Sequence, residues 1–314
     1  MKKRNSLIEL YRFLFAMNVV KGHGFWPVPA EHFGPARVSV EFFFILSGFL
    51  FIRSLEKWRE LPMKAALGKM LRSKLSPILI PTVIGLVSNI AYNIVTKEYF
   101  SGIWGYLWYV HAMVVVFFAY VILHILIKKD KPFFYTVAAI FVIATLMRFS
   151  GAFYSWGYVR GACTISLGML LGLLPKIRLK HQNLLWIPLV PIIGACFAAV
   201  CFELGNLRTP GGFMWFEVIL NLVLYPALIY LSFQLDFSFA PFNYLGALSF
   251  GLYAFQCPAD LLRELGVSGR YLLFGVIVGL SVIEDGIKRL YRIRRRPRAE
   301  GPEASEKKTC SAKE

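Results

Sequence analysis

The chain has 314 residues, 57% of them hydrophobic, and a formal net charge of +17. So apolar a composition excludes a soluble globular domain, leaves too little polar sequence for a second domain, and indicates a polytopic membrane protein. The positive charge does not imply a nucleic-acid partner, because the cations alternate with apolar segments as membrane topology requires.

The first apolar segment, 7–26, carries Glu9, Arg12, Lys21 and His23 where a plain anchor carries no charge. Eleven positions, almost three turns, separate Arg12 from His23, so both side chains leave one helix face roughly 16 Å apart. A charge near the bilayer centre costs at least about 2.5 kcal/mol, which directs Arg12 toward protein or a water-filled cavity and marks it as a functional candidate. The plainer alternative pairs Arg12 with Glu9, lets it snorkel to the headgroups and leaves His23 at the far interface. Lys2, Lys3 and Arg4 imitate a signal peptide, but the internal Arg12 and Lys21, with no small-residue cleavage site before Pro27, argue against removal.

Further apolar runs follow at 38–55, 77–96, 104–127, 133–149, 158–175, 184–202, 213–233, 243–262 and 270–288, for an all-α fold of about ten transmembrane helices. Of the 35 Lys and Arg residues, 26 fall on one side of this alternation, which sets both termini in the cytoplasm. The first helix then runs outward and the second returns inward, bringing Glu41 to a depth similar to His23. Lys69, Arg72 and Lys74 end a basic connector on the cytoplasmic side, just before Pro77. Residues 1–290 form the membrane domain, and 291–314 a charged tail expected to be disordered or to lie on anionic lipid. The five cysteines show no CxxC or Cys/His ligand spacing, so neither a disulfide framework nor a metal site is indicated.

Small residues inside apolar helices, Ser47-Gly48 and the pair Gly168 and Gly172, read as close helix contacts. Trp104, Trp108 and Tyr109 sit at the outer mouth of the fourth helix, either as an interfacial aromatic belt or, for Trp108, as an acceptor platform on which a sugar stacks. His111, nearby, is a candidate to join the His23 site, whereas His32, His124 and His181 fall in loops or near helix ends and read as solvated. Arg148 and Arg160 flank an outer connection, either binding an anionic acceptor or anchoring helix ends.

Arg12 and His23, followed by Val38-Ser39-Val40-Glu41-Phe42-Phe43-Phe44-Ile45-Leu46-Ser47-Gly48-Phe49, resemble the opening of the membrane-bound acyltransferase family 3. Lys69 to Pro77, Leu107-Trp108-Tyr109, Leu167 to Gly172 and Ser249-Phe250-Gly251-Leu252-Tyr253 resemble later elements of the same family, so the likeness spans about residues 7–290. Two positions depart from it. Glu41 lengthens the usual aspartate, and Gln256 stands where the family carries a histidine.

The resemblance implies an enzyme that moves an acyl group, acetyl by default, from cytoplasmic acyl-CoA to an extracytoplasmic acceptor, commonly a hydroxyl of a surface glycan or glycolipid, in the cytoplasmic membrane of a bacterium. Residue chemistry agrees. A hydroxyl needs its proton removed, a task suited to His23, with an ordinary pKa near 6.5. Glu41 is then expected to hold the imidazole in its productive tautomer. Arg12 offers a donor fork for the phosphates of CoA, with Lys69, Arg72 and Lys74 as further phosphate partners. No metal and no nucleic acid are called for. The rival reading is a transporter or flippase using Arg12, His23 and Glu41 as a substrate or proton pathway.

Overall fold

The computed structural model describes residues 5–26, 36–58, 60–97, 105–150, 157–175, 182–201 and 217–294. Trp104, His32, His181, Cys310 and residues 295–314 of the charged tail lie outside the described residues. Twelve helices and no strand occur among the described residues. They are α1 Ser6–Gly22, α2 Ala36–Trp58, α3 Met63–Met70, α4 Ser76–Thr96, α5 Trp108–Leu126, α6 Asp130–Phe149, α7 Gly157–Leu173, α8 Trp186–Cys201, α9 Glu217–Gln234, α10 Ala240–Ala254, α11 Gln256–Glu264 and α12 Arg270–Arg294. Among the described residues, each of the ten apolar runs falls mainly on helix. The run at 243–262 breaks at Phe255 into α10 and α11, and α12 continues past residue 290, the limit expected for the membrane domain.

Five helices among the described residues are long and apolar enough to cross a membrane, and α7 and α8 are shorter apolar helices. In α2, 72% of the apolar window is buried, against 22% in α6, so α2 is interior while α6 turns most of its apolar surface outward to lipid. The core is organised around α1 and α2. α2 packs along α7, and α1 along α10.

Glycine permits the closest of these contacts. A Cβ at Gly168 would clash with the Ile45 carbonyl oxygen, and one at Gly48 with that of Ile165, so the backbones of α2 and α7 touch, as the small-residue reading expects. Gly168→Ala is therefore expected to destabilise the protein by about 1–3 kcal/mol through overpacking against backbone, read as a lower melting temperature in detergent.

The sequence also punctuates the helices. Asn5 caps α1 by accepting from the backbone N–H of Leu7 and Ile8, while its amide donates to the carbonyls of Ser232 and Leu235 at 2.7 and 2.8 Å, tying the start of α1 to the end of α9. At the other end Gly24, with φ +82°, supplies the left-handed residue of a Schellman motif. The N–H of Gly24 donates to Lys21 and that of Phe25 to Val20, which stops α1 at Gly22 and fixes His23 as its cap. Two π-helical turns, Leu71–Leu75 and Leu220–Leu224, each precede a proline closely, Pro77 and Pro226. A proline ring crowds the carbonyl four residues back and donates no hydrogen bond, and the wider turn relieves both without breaking the helix.

Candidate active site

The basic residues of the connector differ in exposure around the π turn before Pro77. Lys69 and Arg72 are exposed, whereas Lys74 is half-buried and faces a cavity. Lys69, Arg72 and Lys74 are expected as further phosphate partners of CoA, and of the three Lys74 is the one that lines the cavities of this site.

Two cavities meet at this point. A wide chamber of about 490 Å³ lies at the basic end of the bundle, between the start of α1, the end of α2 and Asp236. A narrower one of about 240 Å³ runs among α1, α2, α4, α5 and α10, with Phe43, Leu46, Ile78 and Phe117 among its apolar walls. Arg12, Leu50 and Lys74 line both. Arg12 donates to Glu9 at 2.8 Å, so the ion pair of the plainer reading exists, but the guanidinium stands at the junction of the cavities.

The narrow cavity is not purely apolar. Ser47 Oγ lies 3.3 Å from Tyr109 Oη, and Tyr109 packs edge-on to Tyr253 with ring centroids 5.6 Å apart; all three residues line the cavity. Ser47 thus does more than permit packing, and Tyr109 points inward rather than joining an interfacial belt. An elongated ligand with an anionic head and a flexible, mostly apolar arm would place its head at Arg12 and Lys74 and its arm beside Tyr109.

His23 and Glu41 are not brought together. His23 caps α1 close to α11, where the Arg263 guanidinium lies over the Phe25 ring at 5.4 Å. Glu41, fully buried, accepts from Arg160 Nη2 at 2.6 Å and also from Arg148 and Asn221. Arg148 further donates to Glu217 at 3.0 Å. Two carboxylates and two guanidiniums thus balance inside the bundle, joining α2, α6, α7 and α9. Glu41 is expected to orient the imidazole, and the partners its oxygens have here are two guanidiniums and an amide. Arg148 and Arg160, read as flanking an outer connection, are buried in the same cluster.

His23, Glu41 and the remaining candidates line neither cavity. Trp108 is half-buried beneath the Arg160 guanidinium, 5.6 Å from its ring centre, and packs on Phe44. His111 Nδ1 is 2.9 Å from the Tyr158 hydroxyl. His124, expected to be solvated, is buried against Phe133 with Nε2 3.1 Å from the Leu55 carbonyl. Gln256, at the break between α10 and α11, is buried and donates to the Leu252 carbonyl at 3.1 Å, a structural bond within its own helical run. Arg53 and Lys57, which line the wide chamber, were missed because cations at a helix end read first as topology signals.

Comparisons with curated proteins and with solved structures return no match. A family model described as an acyltransferase domain matches residues 5–283, which take in both cavities, the buried charge cluster and the first half of α12. With nearly its whole length matched, the chain belongs to the membrane-bound acyltransferase family 3.

Proposed function

We propose that this multi-pass membrane acyltransferase takes an acyl group, acetyl by default, from cytoplasmic acyl-CoA and transfers it to a hydroxyl of an extracytoplasmic carbohydrate or glycolipid in the cytoplasmic membrane of a bacterium. The observation that carries the reading is the meeting of a wide cationic chamber and a narrow, mostly apolar cavity at Arg12 and Lys74. CoA has that form: a polyanionic head, a pyrophosphate and a slender arm ending in the thioester. Arg12 and Lys74 take the pyrophosphate, and the arm extends along Ser47 and Tyr109.

His23 is the proposed general base. The helix is continuous from Arg12 to Gly22, so the rise of about 1.5 Å per residue holds and the imidazole stands roughly 16 Å from the guanidinium along the axis, comparable to the reach of the pantetheine arm. The base removes the acceptor proton, the alkoxide attacks the thioester carbonyl, and the CoA thiolate leaves; no covalent enzyme intermediate is required. Membership in an acyltransferase family favours this over the transporter reading.

Purified protein incubated with labelled acetyl-CoA and surface glycan fractions tests the proposal. Arg12→Ala is expected to raise the KM for acetyl-CoA about tenfold or more, the effect of losing a charge-assisted phosphate contact. Substrate flux across vesicles without any thioester turnover would overturn it.

A further inference from the structure

The wide chamber carries two cations, Arg53 and Lys57, beyond the pair assigned to the pyrophosphate. Arg12, Arg53, Lys57 and Lys74 line it against Glu9 and Asp236, and Glu9 is already paired with Arg12. Arg53 and Lys57 lie three and seven residues beyond Leu50, which marks the junction with the narrow cavity, so they stand on one face of α2 about 4.5 and 10 Å farther from it along the helix. The Arg53 guanidinium rests on the Phe49 ring at 4.3 Å and lies 5.5 Å from the Phe233 ring centre. A guanidinium steadied on ring faces keeps its donor edge available to an anion and loses little freedom on binding one.

A second anionic group, set beyond the pyrophosphate on the side away from the arm, is therefore matched by this surface. We infer that Arg53 and Lys57 form a subsite for the 3′-phosphate of the donor's adenosine, so that the enzyme selects CoA thioesters over dephospho-CoA thioesters, which lack this phosphate. The inference rests on the donor reading above and adds to it the part of the donor that is recognised.

The test is calorimetric titration of the full-length protein in detergent with CoA and with dephospho-CoA. Wild type is expected to bind CoA about tenfold tighter. Arg53→Ala/Lys57→Ala is expected to abolish that preference while keeping wild-type affinity for dephospho-CoA, which also reports that the variant is folded. Equal affinity of wild type for the two ligands overturns the subsite and leaves the donor reading intact, whereas binding of neither overturns the donor reading itself. A preference that survives in the double variant overturns the assignment to these residues. Should the double variant bind neither ligand, Lys57→Gln decides, with the preference expected to fall severalfold and an unchanged preference counting against the subsite.

Discussion

Glu41→Gln is expected to destabilise the folded protein by about 3–5 kcal/mol, because removing one charge from a buried ion pair strands its partners. Those partners are two guanidiniums, Arg148 and Arg160, with Glu217 left to balance both. In a bilayer the loss is felt in the helix assembly, since Arg148 and Glu217 tie α6 and α9 to α2 through Glu41. The signature is a lower melting temperature and a smaller folded fraction after extraction. Adding Arg160→Gln to Glu41→Gln returns the cluster to charge balance and is expected to recover part of the loss. A Glu41→Gln protein that melts like wild type yet fails to transfer would return Glu41 to the chemistry.

The second large effect belongs to His23. His23→Ala is expected to reduce acyl transfer by about 10²–10⁴-fold, the usual contribution of a positioned acid-base group, with CoA affinity unchanged. Measuring both quantities on one preparation separates a lost base from a lost donor site. Gly24→Ala should resemble it in milder form, since an alanine at φ +82° strains the cap that sets the imidazole in place. Full transfer by His23→Ala would remove the imidazole from the mechanism.

How much of this was legible in the sequence follows from the range of each interaction. Apolar runs and helical glycines are local signals, so the helices and the close contacts at Gly48 and Gly168 could be read directly, but not which helices meet there. The end of α1 was also local, but Gly24 was passed over because the apolar pattern runs on to Trp26. Pro77 suggested a helix start, whereas the chain enters it already helical through a π turn that carries both Arg72 and Lys74. The charge cluster was out of reach: the partners of Glu41 lie 107, 119 and 180 positions away, and no periodicity links such distances. Arg53 carried a faint signal, an arginine one turn after Phe49, hidden by the rule that cations gather on the cytoplasmic side.

The account centres on the donor threading the junction of the two cavities. Cryo-electron microscopy of the protein with bound CoA tests this most directly. The pyrophosphate is predicted within hydrogen-bonding distance of Arg12 and Lys74, with the thiol arm passing Ser47 and Tyr109. Coenzyme A bound instead against the exposed Lys69 and Arg72, with the narrow cavity empty, would contradict it.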